Sequence, residues 1–175
     1  MKKIALALLG AGLMASAVAQ AGPEEDRKQT IAYFKSKLPT VKSQDYIYGA
    51  LALDKDSKSQ YDSIMEFPPF ESVVEAGKDM WNKPFKNGKT FASCFPNGGK
   101  NVVGTYPRFD ASLNKVVTFE ADINQCRKAN GEAEFKYSDV NTMGILTAYA
   151  RTLSDGMKMN VKVEGPAALA AYEDG

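Results

Sequence analysis

The fold is decided by one stretch of the 175-residue chain, Pro84-Phe-Lys-Asn-Gly-Lys-Thr-Phe-Ala-Ser-Cys-Phe-Pro-Asn-Gly-Gly99. Gly and Pro recur within it and onward to Asp110, which predicts a long ordered loop rather than a helix or a strand. Cys94 lies inside this loop, and the second cysteine of the chain is Cys126. The sequence therefore predicts a loop-rich centre that carries one of the two thiol-bearing side chains.

Amphipathic helices are predicted on both sides of this loop. Phe70 to Asn82 precedes it and places its apolar side chains on one face. After the loop, Thr118 is predicted to cap a helix over 119–130. Ser138 is predicted to cap the next helix, over 139–153. These helices, joined by a Gly/Pro loop and with little strand, predict a mainly α domain.

The outer segments carry weaker patterns. Glu24 to Lys37 is acidic at its start and basic at its end, which predicts a helix. Thr40 to Met65 is predicted to be irregular, with short helices at best, and Lys158 to Val163 alternates like a short strand. Pro166 begins a last predicted helix, and the sequence ends at Gly175 soon afterwards. We expect this short helix to have little surface to pack on, and we expect the chain to be truncated.

The N-terminus has the pattern of a secretory signal peptide. Basic Met1-Lys2-Lys3 precedes an apolar run over 4–19, and Ala19-Gln20-Ala21 is an A-x-A cleavage site. The apolar run is shorter than the roughly 20 residues of a membrane span, and no other segment is long or apolar enough for one. We therefore expect cleavage after Ala21 and export to a bacterial periplasm.

Composition excludes several classes of function. The chain has 22 Lys+Arg against 21 Asp+Glu, which gives no bulk charge for nucleic acid or anionic lipid. It has no His, which excludes a Ser-His-Asp triad, a His-ligated zinc and a complete C-x-x-C-H haem attachment site. Two cysteines are too few for a Cys-rich zinc or iron–sulfur site. No metal site is predicted.

The two cysteines allow two interpretations. In an exported protein Cys94 and Cys126 favour a structural disulfide, which by loop entropy stabilises by roughly 3.5–4 kcal/mol. The alternative is that one sulfur is reactive or binds a metal, although only Arg127 and Lys128 offer positive charge nearby. A thioredoxin-type redox motif is absent because the pair is not C-x-x-C, which disfavours a thiol–disulfide oxidoreductase.

A local basic run also allows two interpretations. Lys83, Lys86 and Lys89 lie close together in the sequence, with Arg108 further along the same loop. Such a run is either a solvated face or a docking patch for an acidic partner. The sequence leaves both open.

The residues around Cys94 are two substitutions from a known pattern. With Cys for Phe91 and His for Phe95, the run Phe91-Ala-Ser-Cys-Phe95 becomes C-x-x-C-H, a c-type haem attachment site. Phenylalanine rings at these positions can fill the volume that a haem would otherwise occupy.

The neighbouring segments make the resemblance specific. Residues 84–99 and Thr105-Tyr-Pro-Arg-Phe-Asp110 are similar to the SoxA family, the A subunits of the SoxAX c-type cytochromes of bacterial sulfur oxidation. The resemblance continues through Val116-Val-Thr-Phe-Glu-Ala-Asp-Ile-Asn-Gln-Cys-Arg-Lys-Ala-Asn-Gly-Glu132 and Thr142-Met-Gly-Ile-Leu-Thr-Ala-Tyr-Ala-Arg-Thr-Leu-Ser-Asp-Gly156, and it resumes over 167–175.

The resemblance implies a cytochrome c-like fold with a vestigial haem site. The family has two such domains in tandem, and the first has lost its haem in some members and keeps a disulfide. By this resemblance Cys94 stands where the second attaching cysteine would be, and Cys126 where the family's axial cysteine ligand would be. Phe91, Phe95 and the two cysteines would then line the vacated pocket, which favours a Cys94–Cys126 disulfide.

The resemblance also implies a function. SoxA forms a heterodimer with SoxX and joins thiosulfate oxidatively to a cysteine of the carrier protein SoxYZ, an L-cysteine S-thiosulfotransferase activity. Haem c and catalysis would belong to a second domain missing here, so residues 1–175 alone are predicted to be inactive and to serve as the structural and docking half. The alternative is a free-standing haem-less periplasmic binding module without catalysis.

The expected organisation has four parts. A signal peptide over 1–21 is followed by a helix and irregular arm over 22–65. A cytochrome c-like domain without haem covers 66–163, and 164–175 begins a linker or helix to the second domain.

Overall fold

A computed structural model describes residues 22–175 of the chain. The predicted signal peptide over 1–21 lies outside the described residues. The helices are α1 (Pro23–Lys37), α2 (Lys55–Met65), α3 (Glu71–Asn82), α4 (Phe119–Ala129), α5 (Ile145–Thr152) and α6 (Pro166–Glu173). Tighter 3-10 turns occupy Ser43–Leu53, Phe91–Ser93, Pro96–Gly99 and Val103–Thr105. None of the helices in this part of the chain is long and apolar enough to cross a membrane.

The core forms where α3 crosses α5. Gly77 makes the close approach possible, because a Cβ atom there would lie 2.4 Å from the carbonyl oxygen of Ile145. Next to this crossing, Trp81 of α3 and Leu146 and Ala150 of α5 are buried. Ile123 of α4 is buried in the same cluster, so three helices share one core.

The predicted Gly/Pro loop is confirmed, and it ends in a hairpin that the sequence does not indicate. Strand β1 (Arg108–Asp110) pairs antiparallel with β2 (Lys115–Val117). The Asp110 carboxylate holds the turn by accepting hydrogen bonds from the backbone N–H of Ser112 and of Leu113. Three-residue strands are too short to show a period of two, which is why the alternation is invisible in the sequence.

The predicted cap of α4 is confirmed, and that of the next helix is displaced. The Thr118 hydroxyl accepts a hydrogen bond from the Ala121 N–H at 3.3 Å. Further on, Asp139 rather than Ser138 provides the cap, because its carboxylate accepts from the Asn141 N–H at 3.0 Å. A wide π-type turn over Val140–Gly144 then precedes α5, so the predicted helix over 139–153 is in two parts.

The N-terminal arm contains more regular structure than its sequence indicates. The helix predicted from Glu24 to Lys37 is confirmed as α1. The segment from Thr40 to Met65, expected to be irregular, holds a 3-10 run and the eleven-residue helix α2. Asp54 begins α2 by accepting hydrogen bonds from the Asp56 N–H and the Ser57 hydroxyl. The expectation allowed short helices but did not locate α2, because this helix is almost wholly polar and shows no continuous apolar stripe.

One prediction near the C-terminus is wrong, and another holds only in part. Lys158 to Val163 is not a paired strand. Its one backbone hydrogen bond to the rest of the described chain is donated by the Asn160 N–H to the Gly104 carbonyl at 2.8 Å. Helix α6 does find a packing surface, because Ala168 is buried beside β2. The Tyr172 hydroxyl also donates to the Asp26 carboxylate of α1 at 2.9 Å.

Candidate functional site

The two cysteines form the disulfide that the sequence favours. The Cα atoms of Cys94 and Cys126 are 5.8 Å apart, and the described residues contain no free cysteine. Cys94 follows the 3-10 turn Phe91–Ser93 and is exposed, whereas Cys126 lies in α4 and is 4% exposed. The disulfide therefore ties the central loop to α4, and neither sulfur is a free thiol or a metal ligand.

Phe91 and Phe95 fill the space beside this disulfide. Both rings stack on Trp81, with ring centroids 5.6 Å and 5.4 Å from its indole. Phe85 packs edge-on against Phe91 at 4.9 Å, and Phe119 contacts Phe95 at 5.2 Å. Phe91, Phe95 and Trp81 are all buried. The predicted vestigial pocket is thus brought together, and aromatic rings occupy its interior.

The side chains present do not fit a c-type haem. Phe91 stands where the first attaching cysteine would be needed, and the Cys94 sulfur is already bonded to Cys126. Phe95 offers no axial nitrogen, and the chain has no His elsewhere that could. Nor does any cluster of three or more metal-ligating side chains occur between residues 22 and 175.

An asparagine pair that sequence reasoning missed faces the disulfide. The buried Asn130 side chain donates from Nδ2 to the Cys126 carbonyl at 2.8 Å, and the same nitrogen lies 3.5 Å from Cys94 Sγ and 3.8 Å from Cys126 Sγ. Asn87 Nδ2 donates to Asn130 Oδ1 at 2.7 Å and fixes its orientation. The only signal was Asn130 at a predicted helix end, which indicates a cap and not a contact 36 residues away.

A surface cavity of about 660 Å³ opens against the disulfide. Cys94 and Cys126 form part of its wall. Its other lining residues are mostly polar or small and include Asn97, Lys100, Asn101, Thr105, Tyr106, Arg108, Asp122 and Gln125. The disulfide therefore faces an open concavity on one side and the aromatic core on the other.

A charged network lies on another wall of the cavity. The Asp122 carboxylate accepts from the Tyr106 hydroxyl and, at 3.0 Å, from Arg108 Nη2. Arg108 Nη1 also donates to Asp110 at 2.9 Å. Burial, followed by the hydrogen bond to Asp122, raises the pKa of Tyr106 to about 12. Hydrogen bonds from Ser112 and Arg108 lower the pKa of Asp110 well below its ordinary range.

The four predicted docking cations do not share one environment. Lys83, Lys86 and Lys89 are exposed, and none of them takes part in a salt bridge within residues 22–175. Arg108 is engaged by Asp110 and a second carboxylate, and hydrogen bonds to them raise the pKa of its guanidinium. The three lysines therefore present available charge, and Arg108 holds the hairpin against α4.

Comparison with known proteins gives the family. Residues 76–159 match the family described as SoxA/TsdA, cytochrome c domain. The L-cysteine S-thiosulfotransferase subunit SoxA of Chlorobaculum tepidum is 46% identical over 156 residues, covering 89% of this chain and 54% of that protein. The chain belongs to the SoxA family. The subunit of the same name from Allochromatium vinosum is 37% identical over 172 residues, covering 97% of this chain and 60% of that protein.

A solved structure and the lengths of the relatives complete the comparison. A crystal structure of SoxXA from P. pantotrophus matches with a TM-score of 0.49 and 30% identity, covering 58% of this chain and 39% of that one. The chain spans about half the length of the SoxA relatives it matches. Family membership and the mainly α, cytochrome c-like fold, both expected from the sequence, are confirmed.

Proposed function

We propose that this chain is the N-terminal, haem-less part of a SoxA subunit and serves as its structural and docking half. In this role it would pair with SoxX and take part, at the level of the complex, in conjugating thiosulfate to a cysteine of the SoxYZ carrier. The observation that carries the proposal is the 46% identity to an L-cysteine S-thiosulfotransferase subunit SoxA over 89% of the chain.

The proposal assigns haem c and catalysis to the part of the relatives that this chain does not span. Residues 22–65 would form an arm, 66–163 the haem-less cytochrome c-like domain and 164–175 the beginning of the connection. The side chains around Cys94 support this assignment, because they do not fit a haem. Residues 1–175 alone would show no transferase activity.

The three exposed lysines would contribute the docking charge. Lys83, Lys86 and Lys89 lie within one short loop segment beside α3, so an acidic partner surface could meet all three. Arg108 would contribute indirectly by holding the hairpin in place. The periplasm would be the site of docking, supported by the signal pattern over 1–21 and by the disulfide.

The proposal is tested by measuring association of the exported full-length protein with SoxX and SoxYZ from the same genome. Replacing Lys83, Lys86 and Lys89 together by Gln should slow association roughly tenfold at low salt, with less effect at high salt. Replacing Lys35, Lys37 and Lys42 by Gln changes the net charge equally on another exposed segment and is the matched control. Equal effects of the two triple variants would exclude the patch, and no association with SoxX by the unaltered protein would exclude the subunit role.

The intact mass of the exported native protein distinguishes the subunit role from the alternative, a free-standing module. A mass that corresponds to residues 22–175, two hydrogens lighter until reductant is added, would favour the module. A larger mass that includes one haem would favour the subunit.

A further inference from the structure

The disulfide is markedly asymmetric in its exposure. Both cysteines form part of the wall of the cavity of about 660 Å³, but Cys94 is exposed whereas Cys126 of α4 is buried within the core cluster. A nucleophile that enters through the cavity therefore meets more of Cys94 than of Cys126, which is only 4% exposed. This difference in exposure favours attack on the Cys94 sulfur.

A hydrogen-bond donor is already placed for the sulfur that would leave. Asn130 Nδ2 lies 3.8 Å from Cys126 Sγ and 3.5 Å from Cys94 Sγ, so it is within reach of either sulfur, and Asn87 fixes the amide in this orientation. A disulfide sulfur is at best a weak acceptor and needs no donor, whereas a buried thiolate is strongly stabilised by one. The Asn87–Asn130 pair can therefore stabilise the Cys126 thiolate of the reduced state, and it is compatible with the disulfide of the oxidised state.

The charge at the cavity favours an anion. Arg108 and Asp122 line it and are paired at 3.0 Å, and Arg108 is also paired at 2.9 Å with Asp110, which is not part of the lining. Lys100 also lines it, is exposed and has no salt-bridge partner within the described part of the chain. The lining thus carries one uncompensated positive charge beside the accessible sulfur.

We propose that the Cys94–Cys126 disulfide is a site of thiol–disulfide exchange for small anionic thiols that enter through this cavity. The incoming thiolate sulfur attacks Cys94 Sγ and forms a mixed disulfide. The Cys94–Cys126 bond breaks, and its electron pair leaves on Cys126 Sγ, beside the Asn130 amide. The incoming sulfur is oxidised and Cys126 is reduced, so the exchange needs no other oxidant. Attack of the Cys126 thiolate on Cys94 reverses the step and releases the thiol.

The test is exchange of the folded full chain with two thiols of opposite charge, 2-mercaptoethanesulfonate and cysteamine. After acid quenching and alkylation of free thiols, peptide mass mapping locates the adduct. We expect the mixed disulfide on Cys94 and the alkyl group on Cys126, with the anionic thiolate reacting roughly fivefold faster than the cationic one at equal thiolate concentration. An adduct on Cys126, or equal rates, would overturn the proposal.

Three variants test the local step, and the dependence of the rate on urea separates it from global unfolding. Lys100→Gln should abolish the preference for the anionic thiol, and Lys158→Gln, outside the cavity, should leave it unchanged. Asn87→Ala removes the hydrogen bond that orients the Asn130 amide. The pH midpoint for re-formation of the Cys94–Cys126 disulfide should then shift upward, because the Cys126 thiolate loses a stabilising donor. A merely structural role of Asn87 would not move this midpoint. If exchange instead accelerates with urea in parallel with unfolding, the folded site is not the reactive species and the proposal fails.

Discussion

Two phenylalanine residues beside the disulfide form part of the hydrophobic core. Phe91 and Phe95 each lie against one indole, that of Trp81, with centroid separations of 5.6 and 5.4 Å. Trp81 is only 2% exposed as a result. The buried rings therefore contribute apolar area and aromatic contacts to the stability of the core.

Truncation of one of these rings should be costly. Phe91→Ala removes a buried ring that contacts Trp81 and Phe85, and we expect a loss of about 3–5 kcal/mol in the free energy of unfolding. Phe67→Ala is the control, because Phe67 is 86% exposed and should change little. Urea unfolding followed by far-ultraviolet circular dichroism measures both. Similar losses in the free energy of unfolding for the two variants would contradict a stabilising role of the aromatic cluster.

Tyr106 should make stability fall in alkali. Burial and the hydrogen bond to Asp122 raise its pKa to about 12 from an unfolded value near 10. Because the folded state favours the neutral phenol, this contribution is fully present below pH 10 and is lost as pH rises through 12. In Tyr106→Phe, the free energy of unfolding should decline less steeply between these values. A variant with the wild-type slope would show that Tyr106 is not the group responsible.

At the scale of elements, the crossing of α3 and α5 depends on one position. Gly77 brings the two backbones together, and Tyr149 Cβ would lie only 2.7 Å from an added Cβ. Backbone atoms cannot move aside as a flexible side chain can. Any larger residue at Gly77 therefore has to separate the helices that bury Trp81 and Leu146.

Gly77→Ala should consequently destabilise the protein although alanine favours a helix. We expect the overpacking, about 1–3 kcal/mol or more, to outweigh the gain of up to about 1 kcal/mol in helix propensity. Gly144→Ala is matched, since its added Cβ would meet Val140 at an ordinary 3.5 Å in helical backbone. Thermal unfolding should show a lower midpoint for the first variant and an unchanged or higher midpoint for the second. The reverse order would contradict the proposed crossing.

The elements also show what a sequence can predict. Helices α3 and α4 are predicted because their apolar stripes and the Thr118 cap are local signals. Helix α2 is missed because it is polar and begins at Asp54, and the hairpin because its strands have three residues each. The alternation of polar and apolar residues over 158–163 wrongly predicts a strand, because no neighbouring strand pairs with this segment.

The same distinction applies to the site. The disulfide could be predicted because the signal-peptide pattern over 1–21 and the family resemblance both favour it. Asn130 and the Asp122 network could not, because hydrogen bonds that join residues 14 to 43 positions apart arise only from the tertiary fold. Nothing local distinguishes these polar side chains from solvated ones.

At the scale of the whole molecule, one covalent bond joins the loop half to the helical half. The central loop has only short turns of its own, and the Cys94–Cys126 bond closes a separation of 32 residues between it and α4. Closing a loop of this length lowers the entropy of the unfolded chain. The disulfide should therefore stabilise the domain as a whole and not only the loop.

Replacing both cysteines by alanine should lower the free energy of unfolding by roughly 3.5–4 kcal/mol. The effect should be seen as a lower denaturation midpoint in urea. Reductant is the matched control, since it should destabilise the wild-type protein and leave the double variant unaffected. A double variant as stable as the oxidised protein would contradict this contribution.

The contact between α1 and α6 has an evolutionary consequence. Asp26 and Tyr172 lie near opposite ends of the described chain, yet their side chains are joined by a hydrogen bond of 2.9 Å. A domain whose entry and exit points are neighbours can be duplicated, inserted or permuted without stretching the host around it. This folding unit is thus well shaped to be copied within a gene or inserted into a longer chain.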